Sequence, residues 1–210
     1  MRPAAHPAGG TVTGVAEGRA RQILETLRAP GCAAAIWQRQ PDPLLGAWLD
    51  SLPADRLPAL RQSLPADRVA AAVDQACAAA GIAAGPGRRR FCADVADLAA
   101  GFAGLMGTPH LQLRLDPVRG DACRRFHVDH VPARLLCTYR GRGTEYGAAG
   151  PDGQPQSVQR MAAGWVGVFR GRLWPGAAPC GLLHRSPPIE GSGETRLLLV
   201  LDVAVAAEAP

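Results

Sequence analysis

His127-Val-Asp129 carries an imidazole and a carboxylate two residues apart. In an extended strand, residues i and i+2 share a face, so the two groups would converge. Phe126, Val128 and the nearby Pro132 favour strand over helix here. A second imidazole, His184, stands some fifty to sixty residues downstream in Gly181-Leu-Leu-His-Arg-Ser-Pro-Pro188. Two imidazoles and one carboxylate form a facial set that holds a divalent metal and leaves positions open for reactants. About a dozen residues further on, Arg196 opens a long apolar run. A guanidinium there is shaped to hold a carboxylate in a two-pronged pair. Each residue also has an ordinary reading: a hydrogen-bonded histidine, a turn-capping imidazole, a strand-end charge. Their combination and order single them out.

These groups need elements to carry them. Residues 16–27 place Ile23, Leu24 and Leu27 at helical spacing, and Pro30-Gly31 ends that predicted helix. Residues 33–37 read as a first strand. Ser51-Leu-Pro-Ala-Asp-Arg56 recurs as Ser63-Leu-Pro-Ala-Asp-Arg68. Ser followed by Pro and an early acid is helix-start chemistry, so both copies are predicted to open helices. Two copies are too few for a solenoid. Helices are predicted at 69–80 and 92–106, the second with Val95, Leu98, Ala99, Phe102 and Leu105 on one face. Gly85-Pro-Gly-Arg-Arg-Arg90 between them reads as an exposed loop.

After Gly107 the hydrophobic period falls to two. His110-Leu-Gln-Leu-Arg-Leu115 alternates strictly, and strand-like runs recur at 125–129, 134–139, 165–170 and 195–203. The last points Leu197, Leu199, Leu201 and Val203 one way and Leu198 and Val200 the other, so it must be covered on both sides. Helices first and strands later is the order of an α+β domain. Residues 1–15, rich in Pro, Gly and Thr, are expected to be disordered. One domain then spans 16–210, mainly helical over 16–107 and strand-built over 108–204. The Gly/Pro-rich segment 141–156 reads as a long loop, either a substrate lid or an insertion.

Composition narrows the function classes. The 210 residues are 47% hydrophobic and 20% charged, the balance of a globular protein. No apolar run approaches the ~18 residues of a membrane span, and the first thirty residues lack a secretory layout. A cytoplasmic protein without membrane contact is expected. All 23 cationic side chains are Arg, a bias that a GC-rich coding sequence gives. A net charge of +5 and the lone Tyr139-Arg-Gly-Arg-Gly143 are therefore too little to predict a nucleic-acid partner. The six cysteines include no C-x-x-C pair, which excludes a zinc ribbon. Cys137 sits in an apolar run and reads as a core residue, not a nucleophile. Cys123, His127 and His130 would share a helix face and offer three zinc ligands, but two valines and Pro132 make a poor helix.

Together, His127, Asp129, His184 and Arg196 resemble the double-stranded β-helix dioxygenases that use Fe(II) and 2-oxoglutarate. Those enzymes carry H-x-D at the start of the barrel, a distal His fifty to sixty residues on, and an Arg ten to twelve beyond it. The resemblance covers about 111–203. It implies N-terminal helices packed on a C-terminal jelly-roll barrel, Fe(II) on His127, Asp129 and His184, and the far carboxylate of 2-oxoglutarate on Arg196. Tyr139, or Thr138 if the strand parity is reversed, would add a hydrogen bond to the keto acid. The substrate, small molecule or protein, is left unspecified.

The strings Phe126-His-Val-Asp-His-Val-Pro132, Leu136-Cys-Thr-Tyr-Arg-Gly-Arg-Gly-Thr144 and Leu183-His-Arg-Ser-Pro187 also resemble an uncharacterised bacterial family, domain of unknown function 1826. Its members have no assigned reaction and tend to be encoded near zinc-homeostasis genes, including metal-chaperone GTPases. That resemblance implies an alternative: Zn(II) in the same barrel site of a non-catalytic protein, with zinc-homeostasis proteins as partners. Ligand types alone do not choose between the metals, because zinc outcompetes Fe(II) for such a set.

Overall fold

In the computed structural model, which describes residues 11–121, 123–176 and 178–204, the described chain forms ten strands and three α-helices joined by turns and short 3-10 segments. The strands are β1 (Gly14–Gly18), β2 (Cys32–Trp37), β3 (Leu60–Pro65), β4 (His110–Val118), β5 (Ala133–Arg140), β6 (Glu145–Ala148), β7 (Gln159–Arg160), β8 (Val166–Arg170), β9 (Leu182–Arg185) and β10 (Arg196–Val203). The helices are α1 (Pro43–Ser51), α2 (Val69–Ala79) and α3 (Pro86–Met106). Seven strands form a large sheet in the order β1-β2-β8-β5-β10-β4-β3, and three form a small sheet in the order β7-β6-β9. All pairings are antiparallel except β1 with β2. The fold is thus mixed, mostly sheet with few helices.

Strand β10 lies between β5 and β4, with Leu199 opposite Leu115 on one side and Cys137 on the other. Its two apolar faces are both covered, as the sequence requires. Leu197, Leu199 and Leu201 join the core that Phe91, Val95, Leu98 and Phe102 of α3 complete. Leu198 and Val200 meet Leu136 and Phe169 of the large sheet and Tyr146 and Leu182 of the small one. Each buried leucine contributes roughly 1.5–3 kcal/mol. Helix α3 stays on the sheet because its apolar residues recur at three-to-four spacing, and it stops at Gly107, whose φ of 64° suits only a residue without a Cβ.

The predicted helices at 69–80 and 92–106 are present as α2 and α3, but α3 starts earlier. The three arginines expected in an exposed loop lie in its first turns. Arg88 is buried there, gripping Asp74 of α2 through Nε at 2.6 Å and Nη2 at 2.7 Å. The predicted helix at 16–27 is instead β1 followed by a 3-10 segment at Arg21–Arg28. Strand β1 runs parallel beside β2, and a Cβ at Gly14 would lie 2.5 Å from the Gly31 carbonyl oxygen. That contact is non-local, so helical spacing over-ruled it in the sequence.

The repeated hexapeptide opens a helix only in its second copy. The first spans the end of α1 and a 3-10 turn at Ala54–Arg56; the second runs from β3 through Ala66–Arg68 into α2. Of residues 1–15, 1–10 lie outside the described residues. Val12 is ordered, bridging Cys180, and Gly14 starts β1. Residues before 107 therefore supply strands as well as helices. Segment 141–156 is not merely a loop, since it contains β6, which pairs with β9. No helix among the described residues is long and apolar enough to cross a membrane.

Replacing Leu199 by Ala should lower the free energy of unfolding by about 2–5 kcal/mol, since the site is fully buried between α3 and the sheet. Leu44→Ala, at a side chain 62% exposed, should change it by less than about 0.5 kcal/mol. Urea unfolding of both variants checks this, and equal losses would contradict the central place of β10.

Candidate metal centre

His127 lies in a segment expected to be a strand over 125–129, but it forms only an isolated bridge. Its N–H donates to the His184 carbonyl at 3.1 Å, and the His184 N–H returns the bond at 3.0 Å. Reciprocal bonding of two opposed residues sets their side chains on the same face. The imidazole centroids are 4.7 Å apart. Strand β9 supplies His184, and its neighbours fix the ring against Phe169 at 5.0 Å.

Asp129 follows in a segment stitched to the turn after β8. Arg172 N–H donates to the Asp129 carbonyl at 2.8 Å, and Gly171 N–H to that of Pro132 at 2.8 Å. A Cβ at residue 171 would lie 1.9 Å from the Val131 carbonyl oxygen, so only glycine lets the two segments meet. One ligand atom from each of His127, Asp129 and His184 then lies within 4.8 Å of the others.

The three side chains could hold a metal ion. His127 Nδ1 sits 2.8 Å from the Arg125 carbonyl oxygen. Facing an acceptor, Nδ1 must carry the hydrogen, so in the neutral ring Nε2 is the nitrogen with the lone pair, on the Asp129 side. Asp129 Oδ1 lies 3.4 Å from that Nε2 and receives the Arg134 guanidinium. Asp129 Oδ2 lies 2.9 Å from His184 Nε2, yet it is buried with no hydrogen-bond partner. The contact is close, but its geometry is not that of a hydrogen bond.

Burial opposes ionisation of Asp129, but His127, His184 and Arg134 overcome it and hold the carboxyl well below its usual range. Burial pushes His184 down, which keeps it neutral, the form that binds metal. The carboxylate beside His127 raises that imidazole. A cavity of about 50 Å³ opens at the group, lined among others by Leu136, Thr144 and Leu198.

Arg196 stands two residues before Leu198 on the same face of β10 and is wholly buried. Its Nε donates to the Arg142 carbonyl at 2.6 Å, Nη2 to Thr138 Oγ1 at 3.3 Å, and Nη1 to nothing. Burial, offset in part by Glu194, brings its pKa down to about 10. Gly141, at φ 82°, makes room for it: a Cβ there would lie 2.9 Å from Arg196 Cγ.

Tyr139 is not brought to this site. Alternation along β5 turns it to the helical face, where its hydroxyl donates to Asp94 at 2.5 Å and its ring meets Phe91 at 5.0 Å. Thr138, its neighbour, takes the position beside Arg196. The Cys123, His127 and His130 set is not formed either, because its segment is not helical. Cys123 stays at the cavity rim, and His130 is exposed. Arg140 and Arg142 are structural, donating to the Leu52 carbonyl and pairing with Glu194.

Sequence reasoning missed Arg134 and Asp202. They are register partners of β5 and β10, joined at 2.7 Å through both Nε and Nη2. Asp202, an acid inside a strand otherwise apolar on both faces, was the available signal.

The family described as protein of unknown function, DUF1826, matches residues 18–202. The chain belongs to the DUF1826 family. A search of curated proteins gives no match. Solved structures similar to this DUF1826 chain include dioxygenase for auxin oxidation 1 of Arabidopsis thaliana, a 2-oxoglutarate binary complex. It is 13% identical, with 94% of each chain covered and a TM-score of 0.50. The rice dioxygenase for auxin oxidation is 17% identical over 92% of this chain and 83% of its own, also with a TM-score of 0.50. Both neighbours are dioxygenases, and the first is in complex with 2-oxoglutarate. At such identity the likeness concerns the fold.

Gly171→Ala should destabilise the protein by about 1–3 kcal/mol, because its Cβ would push against backbone that has no rotamer to yield. A thermal melt measures this. An unchanged melting temperature would mean that the 129–132 segment is not held by the turn after β8.

Proposed function

We propose that this chain is a mononuclear Fe(II)/2-oxoglutarate-dependent oxygenase, its two sheets forming a double-stranded β-helix with the helices on the outer face of the large sheet. One observation carries this reading. Among the described residues, the buried side-chain polar atoms without a hydrogen-bond partner are Asp129 Oδ2 and Arg196 Nη1. Leaving such atoms unpaired costs about 1–3 kcal/mol each, more for charged groups. Both belong to residues on one side of the sheet, and they are of opposite charge. A metal at the triad would satisfy the first, and a bound carboxylate the second.

His127, Asp129 and His184 would hold Fe(II) through Nε2, Oδ2 and Nε2. With dioxygen as the oxidant and 2-oxoglutarate as the co-reductant, Fe(II) bound there would supply the chemistry for oxidising a substrate C–H bond. The protein's own residues do the rest. Arg196 and Thr138 orient the keto acid by its far carboxylate. Leu136 and Leu198, which line the cavity at the triad, would help to exclude water from it. Phe169 and the His127–His184 backbone bridge hold both rings in place.

Anaerobic loading with Fe(II) and then 2-oxoglutarate should produce a visible charge-transfer band, and His127→Ala should abolish it. Zn(II) binding that depends on His127 and His184, with no band from Fe(II) and keto acid, would overturn the oxygenase reading. Arg196→Leu should leave metal affinity unchanged and weaken 2-oxoglutarate binding about ten- to a hundred-fold, the equivalent of charged hydrogen bonds worth roughly 1.5–3 kcal/mol. Titration of the metal-loaded protein with the keto acid measures that loss. Unaltered affinity would remove Arg196 from the site.

A further inference from the structure

We propose that Arg134, held by Asp202, is a positioning residue that makes Asp129 a one-oxygen metal ligand. The proposal rests on the metal reading above and adds a part that the ligand set alone does not contain.

A free carboxylate can present both oxygens to a divalent cation and occupy two coordination positions. In this site the two oxygens of Asp129 are made unlike. Oδ1 is taken by Arg134 Nη1, while Oδ2 is buried without a partner and faces His184 Nε2 at 2.9 Å. Oδ2 is the oxygen left wholly free to offer, while Oδ1 has a lone pair already engaged by Arg134. With one atom each from His127, Asp129 and His184, an octahedral ion keeps three positions open. A second oxygen from Asp129 would consume one of the positions that a chelating keto acid and a further reactant need.

Arg134 can impose this because it is itself fixed. Nε and Nη2 grip both oxygens of Asp202 at 2.7 Å, a fork that Lys could not reproduce, and the two residues face each other across the central strand pair. The remaining edge of the guanidinium, with Nη1, is thereby turned toward Asp129. Asp202 has a second effect. A lone cation beside the triad would repel a divalent metal, whereas the Arg134–Asp202 pair is neutral in sum. Arg134 thus gives direction to Asp129 without charging the site against its metal. All three side chains are mostly buried, so the arrangement is little screened by water.

The test titrates the full chain with Co(II) and reads the visible absorption, whose position and intensity report coordination number and geometry. Arg134→Lys should bind Co(II) about ten- to a hundred-fold more weakly, the usual effect of losing a partner that orients a ligand, with a changed absorption spectrum. Asp202→Asn, which keeps a hydrogen-bonding side chain in place, should shift the spectrum in the same direction with a smaller loss. If Arg134→Lys does not fold, as judged by near-ultraviolet circular dichroism, Asp202→Asn decides alone. Wild-type affinity and spectrum in the folded variants, with only the unfolding midpoint lowered, would reduce Arg134 to a structural ion pair and overturn the proposal. Wild-type protein that takes up no Co(II) in a His127-dependent way would overturn the metal reading, and this one with it.

Discussion

A strand that is apolar on both faces has no stable place at a surface, and β10 is such a strand. Burying Leu197, Leu199 and Leu201 requires a layer of helices on one side; burying Leu198 and Val200 requires a second sheet on the other. That second sheet is what brings β9, and hence His184, over the large sheet. The face of β10 turned to the small sheet reads Arg196, Leu198, Val200, Asp202. Its two charged members stand at opposite ends of the strand. One is a guanidinium beside Thr138 with one nitrogen unpaired; the other holds the arginine that holds Asp129. A single element therefore supplies the core and both electrostatic ends of the site.

Such charges are costly in a folding sense, because burying a guanidinium without a carboxylate forfeits its hydration. Among the described residues, other buried charges are matched. Arg88 has Asp74, Arg39 has Asp94, and the buried Glu145 has both Arg160 and Arg185. Arg196 stands apart from this practice, with Glu194 nearby but committed to Arg142. Unsatisfied polar groups in a protein that otherwise pairs its charges mark the place where folding and binding make opposite demands.

The candidate site was more legible in the sequence than the frame that carries it. His127 and Asp129 sit two apart, which fixes a shared face whenever the segment is extended, and the extended segment followed from Val128 and Pro132. His184 and Arg196 were legible by order and distance along the chain. Arg134 was not, because its partner Asp202 is distant in sequence and meets it only through register. Tyr139 was placed wrongly for a related reason. Parity after Pro132 decides whether residue 138 or 139 faces the small sheet, and a strand's starting parity depends on its neighbours. Of the elements that the sequence did not reveal, β1 and β6 are short and glycine-bearing. Both are made by close backbone approach, at Gly14 to Gly31 and at Gly147 to Ser157, contacts that leave no hydrophobic period to read.

The choice of metal also turns on Arg196 more than on the ligands. Two imidazoles and a carboxylate serve zinc as readily as iron. A structural zinc ion closes its shell with one further protein ligand, and the triad is the metal-capable group of His, Cys, Asp and Glu found among the described residues. A fourth ligand from water would complete the ion but would leave the guanidinium at Thr138 without a counter-charge. A ligand that is chelating at one end and anionic at the other accounts for both features at once. That description fits a keto diacid and fits neither water nor a simple anion. Within the proposed reading, the buried arginine, which contacts no ligand of the triad, is thus the residue that favours oxygenase chemistry over a non-catalytic zinc site.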